Sequence, residues 1–428
     1  MRKLALLGGN PVRSTPLPTY NTLGAEERAA VNAVLDSAVL SQFLGAWTPD
    51  FYGGQRVQAL ERAWEAHFGI AHAVSMNSAT SCLYAAVGAL GVGPGDEVIV
   101  SPYTMSASAV AAVVYGAVPV FADIDPATFC LTADTIAARI TPRTRAIIVV
   151  DLFGQPADFD AIMALARRHD IKVIEDNAQG PGARYRGRPA GTLADIGVFS
   201  LNYHKTIHCG EGGIAVCADA RLAERMRLIR NHAEAVVKPK GETELVNLVG
   251  FNYRMTEIEA AIAAEQLKKL PLLLAARQAN AARLSAGLAG LPAITLPFVQ
   301  AEVEHGWYVY AIKYDAASGG VPRSVVARAL RAEGIPVGEG YVEPLYLQPM
   351  YQQRIAFGSG GFPFSYPGYQ GKLDYARGLC PTTERMHFDS LLYADYVHAG
   401  LSEADVDSIA EAWTKVLGQL AQLSGLPA

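Results

Sequence analysis

The 428-residue sequence predicts an α/β fold: a large domain with a mainly parallel seven-stranded sheet and a smaller C-terminal α/β domain. Three observations carry this. Short apolar runs alternate with amphipathic stretches from about residue 70 to residue 220, as strands joined by crossover helices do. The length leaves room for more than one domain, at roughly 100–200 residues each. The texture changes after Pro271, which divides the chain into 1–270, an N-terminal segment with the large domain, and 271–428, the small one.

The strand candidates are Ala71–Met76, Glu97–Ser101, Val118–Ala122, Ala146–Asp151, Lys172–Glu175, Ile196–Ser200 and Gly213–Cys217. After the first, Leu83, Ala86, Val87 and Leu90 share one helical face, and the run Gly91–Gly95 stops that helix. Phe159, Ile162, Met163 and Ala166 mark a second amphipathic helix. Thr256 and Glu259 form a capping-box pattern, so a helix is expected from Thr256 to just before Pro271. Then come an Ala/Leu/Arg-rich helix, a strand at Tyr308–Tyr314 and an aperiodic Gly/Pro/aromatic loop at Gly358–Gly371. A last helix is capped by Ser402 and Asp405 and carries Val406, Ile409, Trp413, Val416 and Leu420 on one side.

Composition removes several function classes. With 36 Lys+Arg against 41 Asp+Glu and a net charge of −5, no cationic surface is offered to nucleic acid. The uncharged run Val98–Ala122 is broken by Pro102, Gly116 and Pro119, so it reads as strand, helix and strand rather than a membrane span. The apolar start at Leu4–Leu7 is too short for a signal peptide. Five scattered cysteines (Cys82, Cys130, Cys209, Cys217 and Cys380) without CxxC spacing support neither disulfides nor a zinc ribbon, and a cytoplasmic location is expected. His204 and His208 lie four apart in a loop-like segment without HExxH, so no metal is expected. No strand leads into GxGxxG, which argues against a nicotinamide site.

Ligands of an open parallel sheet collect at the carboxyl ends of its strands. Three such ends carry polar residues. The first strand leads to Asn77-Ser78-Ala79-Thr80-Ser81, small residues that either form an ordinary N-cap at Ser78 or expose amides to an anion. The strand Lys172–Glu175 runs into Asp176, a carboxylate that is solvated, salt-bridged, or set against a pyridine nitrogen. The strand ending at Ser200 leads to Lys205, a surface lysine or a desolvated nucleophile held close to the tight return Gly210-Glu211-Gly212-Gly213.

Together these elements resemble the DegT/DnrJ/StrS family of pyridoxal-phosphate (PLP) aminotransferases. The resemblance spans nearly the whole chain. It rests most on Ser200, four residues, Lys205, four residues, Gly210-Glu211-Gly212-Gly213, with support from Glu175-Asp176-Asn177-Ala178-Gln179 and Gly250–Glu257. It implies fold type I with PLP as cofactor. Lys205 would hold the coenzyme through its amine and, once released, carry a proton to and from the substrate carbon. Asp176 would pair with the pyridine nitrogen and Gln179 with the phenolic oxygen. Ala79, Thr80 and Ser200 would bind the phosphate, with Asn252 reaching in from the second subunit of a homodimer. Two positions depart from the family: Ala79 stands where glycine is frequent, and Met105 follows Tyr103-Thr104 where an aromatic usually stacks on the ring, so either Met105 or Tyr103 takes that place. Lysine at 205, rather than the histidine of dehydratase relatives, implies amino transfer. The donor would be glutamate or glutamine and the acceptor a keto-sugar, nucleotide-linked by family frequency. A keto-cyclitol is the alternative acceptor, and a non-catalytic PLP-binding sensor is the alternative of another class.

Overall fold

The computed structural model describes residues 2–427. Its large sheet has seven strands: β1 (His72–Met76), β2 (Glu97–Val100), β3 (Val118–Phe121), β4 (Thr144–Val150), β5 (Lys172–Asp176), β6 (Ile196–Ser200) and β7 (Gly213–Cys217). They lie in the order β1-β7-β6-β5-β4-β2-β3. Every pair from β6 to β3 is parallel, and only β7 runs against both its neighbours. The expected mainly parallel sheet is therefore what the chain forms.

The strands read as unbroken apolar runs because both faces of the sheet are covered. On one face Val98, Val100, Ile148 and Ile174 pack with the helices Ala79–Ala89, Ser106–Val114 and Ala220–Arg230. On the other, Ile99, Ile147, Val149 and Val173 pack with the helix Phe159–Arg168. The Val98–Ala122 run is thus β2, a short helix and β3, as its prolines and glycine require. Among the described residues no helix is long and apolar enough to cross a membrane.

A four-stranded antiparallel sheet follows, in the order Ile294–Thr295, Tyr310–Tyr314, Leu391–Ala394, Gly338–Glu339. Two features differ from the sequence reading. The helix expected to end before Pro271 runs from Glu257 to Leu288 with the proline inside it. A proline there costs about 3 kcal/mol. Against this, Leu267 and Leu270 are buried in the cluster beside β6 and β7, while Leu284 and Leu288 are buried in the C-terminal cluster. Each such leucine contributes about 1.5–3 kcal/mol, so burial on both sides of Pro271 outweighs the break. The expected division at residue 270 therefore falls within one continuous helix.

The second difference concerns the N-terminal segment, grouped above with residues 1–270. Leu4 is buried in the C-terminal cluster instead. The anchor is Glu333, fully buried, which accepts hydrogen bonds from the Ala5 amide (2.8 Å), the Val12 amide (3.0 Å) and Lys415 Nζ (2.8 Å). The loop Gly358–Gly371 covers the β3 edge of the large sheet. Phe362 packs where any side chain on Gly116 would sit, and the Tyr369 hydroxyl donates to Glu97 Oε1 at 2.9 Å.

Removing the Glu333 carboxylate leaves buried Lys415 without its counter-ion, held only by the Asn10 carbonyl at 2.9 Å. Glu333→Ala is expected to cost about 3–5 kcal/mol in urea unfolding and to open the first twelve or so residues to protease. Glu333→Gln, which keeps an acceptor for the two amides, is expected to lose less.

Candidate active site

The carboxyl ends of β1, β5 and β6 converge on one cavity of about 220 Å³. Ala79, Thr80, Met105, Asp176, Gln179, Ser200 and Lys205 all line it. Asn252 does not; its side chain is exposed outside the cavity of its own chain.

At the end of β1, Ser78 caps the helix Ala79–Ala89 by accepting from the Ser81 amide at 3.1 Å. The cap uses the third amide of the helix and leaves those of Ala79 and Thr80 without an intrahelical acceptor, at the positive end of the dipole. The cap and the anion site thus coexist. Gly213 explains why the tight return ends in glycine: a Cβ there would overlap the backbone of Ser78 and Ala79, which β7 must approach closely.

Asp176 ends β5. Its carboxylate accepts from the Ser108 hydroxyl (2.8 Å) and the Ala178 amide (3.2 Å). Burial pushes its pKa above the usual aspartate range, while those two bonds and nearby Lys205 pull the other way. Its neighbour Glu175 points to the opposite face, where it accepts from the amides of Gly191 (2.6 Å) and Leu193 (2.7 Å). Only Asp176 of this acidic pair faces the cavity.

Lys205 sits in the turn after β6, its amide bonded to the Asn202 carbonyl at 2.9 Å. Its Nζ lies 3.4 Å from the Tyr308 hydroxyl and 4.7 Å from the centroid of that ring. Burial lowers the amine to about 8, and the attraction of Asp176 only partly offsets this. A lysine of this kind is a nucleophile near neutral pH, unlike one in water.

Gln179 accepts from the Phe153 amide (2.8 Å) and donates to the Tyr341 hydroxyl (2.9 Å), which leaves one amide N–H free. Of the two stacking candidates, Met105 lines the cavity and is 64% exposed. Tyr103 is fully buried elsewhere, donating to the Gly340 carbonyl at 2.7 Å. Tyr341 lines the cavity, whereas Tyr346 turns into the core to bond Glu384. The loop Gly358–Gly371 does not line it.

Sequence reasoning missed Ser108 and Tyr308. Ser108 carried a faint signal, a hydroxyl among small residues early in the helix after β2. Tyr308 was assigned to a strand that begins instead at Tyr310, which frees its ring to enter the cavity. Free amides at a helix start, a buried carboxylate and a low-pKa amine in one cavity fit a phosphorylated pyridine aldehyde.

Comparison with known proteins points the same way. The sequence pattern of the DegT/DnrJ/EryC1/StrS aminotransferase family matches residues 22–372. The L-glutamine:2-deoxy-scyllo-inosose aminotransferase of Streptomyces kanamyceticus is 37% identical over 99% of this chain and 98% of its own. The GDP-perosamine synthase of Caulobacter vibrioides is 36% identical over 85% of this chain and 91% of its own. Among solved structures, an aminotransferase from Psychrobacter cryohalolentis superimposes with a TM-score of 0.81 at 29% identity, covering 95% of this chain and all of that one.

The lowered pKa of Lys205 sets a pH dependence of apoprotein stability. Below pH 8 the folded state carries a desolvated ammonium, and the resulting destabilisation is fully present. It fades as pH rises from about 8 to the unfolded value of about 10.4, where the free chain also loses its proton. Lys205→Met apoprotein is therefore expected to melt above wild type at pH 6–7 and to lose that advantage by about pH 10, as read by calorimetry.

Proposed function

The chain belongs to the DegT/DnrJ/EryC1/StrS aminotransferase family, and from that premise we propose that it moves the amino group of glutamate or glutamine onto the ketone of a sugar or cyclitol. It is a PLP-dependent aminotransferase. The observation that carries the proposal is the pairing, in one cavity, of the Lys205 amine with the Asp176 carboxylate. Relatives named for amino transfer to a cyclitol ketone, and another named for synthesis of the amino sugar perosamine, support the acceptor class.

When bound, PLP supplies an electron sink for the pair released as the donor's Cα–H bond breaks. The chain's own residues do the rest. Lys205 would hold the coenzyme through its amine and, once displaced, would move a proton from the donor carbon to the coenzyme's C4′ carbon and, in the second half-reaction, from C4′ to the acceptor carbon. Asp176 keeps a proton on the pyridine nitrogen, and Ser108 fixes the orientation of its carboxylate. The free N–H of Gln179 would donate to the coenzyme's phenolic oxygen. The Ala79 and Thr80 amides and the Ser200 hydroxyl, which line the cavity, would hold the phosphate, and Met105 would pack on the ring. Asn252, exposed on its own chain, completes the phosphate site of a second copy, so the working unit is a homodimer with shared sites. Residues between Ser78 and Gly212 supply most of the cavity wall, and Tyr308 and Tyr341 from the C-terminal part complete it. Five free, buried cysteines are consistent with a cytoplasmic enzyme.

Purified enzyme is expected to be yellow, and borohydride is expected to fix the coenzyme on the peptide containing Lys205. Lys205→Ala is expected to slow the half-reaction with glutamate or glutamine by about 10²–10⁴-fold, measured by the loss of the coenzyme's visible absorbance. A colourless protein that ignores added coenzyme is the outcome that sinks the proposal. A protein that binds the coenzyme but reacts with neither donor would be the silent sensor instead.

A further inference from the structure

Asp151 lies outside the cavity lining, and its burial is unexplained by the site so far. It follows β4 directly and is fully buried, yet neither carboxylate oxygen has a hydrogen-bond donor among the described residues. Its carboxyl faces that of Glu175, also fully buried, within hydrogen-bond reach. Strand geometry explains the meeting. Val149 pairs with Glu175, and Asp151 stands two residues beyond Val149, so both acids lie on the side of the sheet away from the Asp176 carboxylate. Glu175 has a donor on each oxygen, the Gly191 and Leu193 amides, which hold it as the carboxylate. Asp151 has none. Around the pair stand Asp176, the Cys130 thiol and Arg188, and that guanidinium is half exposed and bonded to Asp160 at 2.6 Å. With no cation committed to the pair, a second buried negative charge costs more than a proton kept on Asp151. Burial and the charge of Glu175 push the Asp151 pKa well up, and the nearby Ala157 amide offsets only part of this.

We propose that Asp151 is a positioning residue for the coenzyme: its carboxyl keeps its proton, donates it in a hydrogen bond to Glu175, and so fixes the turn on which Asp176 and Gln179 depend. The Asp151 main chain reaches both. Its amide donates to the Asp176 carbonyl at 3.1 Å, and its carbonyl accepts from the Gly154 amide at 3.1 Å, closing a turn through Leu152 and Phe153. Phe153, held at φ +62°, donates its amide to Gln179 Oε1 at 2.8 Å and accepts from the Tyr308 amide at 2.9 Å. A bulky residue keeps a left-handed conformation only where its surroundings hold it there. The hydrogen-bonded acid pair at the start of the turn is such a restraint. It acts on the residues assigned above to the pyridine nitrogen and the phenolic oxygen, so the inference rests on the aminotransferase reading and deepens it.

The test compares holoenzyme variants. In the free chain both acids lose their protons at about pH 4, while the folded pair retains one, so wild-type stability falls as pH rises above that value. Asp151→Asn offers Glu175 an N–H that does not titrate. The unfolding constant of wild type in urea, divided by that of Asp151→Asn, is expected to rise about tenfold per pH unit from pH 5 to about pH 7. Asp151→Ala frees the turn and is expected to slow the half-reaction with glutamate or glutamine about 10- to 100-fold, read by the loss of visible absorbance. Asp151→Asn is expected to keep at least about fivefold more of that rate than Asp151→Ala, because the hydrogen bond is restored. Glu175→Gln sets an amide NH₂ against a backbone N–H and is expected to lose as much as Asp151→Ala. A ratio that changes less than about twofold over that pH range, or an Asp151→Asn enzyme no faster than Asp151→Ala, overturns the inference. If Asp151→Ala does not fold, the pH ratio alone decides. Wild type inert towards both donors would overturn the aminotransferase reading instead, and the pH ratio would still decide whether Asp151 keeps its proton.

Discussion

The site depends on placing an amine and a carboxylate in one desolvated cavity. Burial alone would neutralise both, raising Asp176 and lowering Lys205. Each charge moderates the other, and fixed dipoles supply the remainder: the Ser108 hydroxyl and the Ala178 amide on Asp176. A parallel sheet is the economical way to bring them together. β5 and β6 run side by side, with Asp176 opposite Val198, so their ends emerge at the same edge. The turn that follows then needs only a few residues to set Lys205 in front of the carboxylate.

Most of this was legible in the sequence. The seven strands are apolar on both faces, so their boundaries show as continuous runs, and each lies within two residues of its expected span. The residues that line the cavity from the end of a single strand were readable for the same reason. Contributions from distant segments were not. Ser108 meets Asp176 across 68 residues and Tyr308 meets Lys205 across 103, and nothing in either local pattern reports the partner. Tyr103 and Met105 are two residues apart, and only the packing of Tyr103 against Gly340 decides which is left at the cavity. The helix through Pro271 was misread because a local rule was applied where burial on both flanks prevails. The aperiodic segment Gly358–Gly371 gives no local sign of what it does, because its aromatics pack on the distant residues Gly116 and Glu97 at the edge of the large sheet.

Met105 holds a double position, lining both the Lys205 cavity and a neighbouring hollow bounded by Val342 and Met350. A flexible thioether tolerates ring-shaped neighbours of different outline on its two sides better than a rigid aromatic does. A methionine at this position thus gives the cavity a wall that adapts its shape, where an aromatic ring would be rigid.

The helix Glu257–Leu288 has a last consequence, for how such chains can be recombined. At 1.5 Å per residue it is a rod of about 48 Å. Its first half is buried beside the large sheet and its second half in the cluster that carries the small one. A chimera joined at residue 270 would pair two half-helices of different parentage, yet each half would keep the core it packs against. Exchange of the C-terminal part between relatives should therefore be made within the rod, near Pro271, because a cut after Leu288 would part Ala281, Leu284 and Leu288 from the C-terminal core they are buried in.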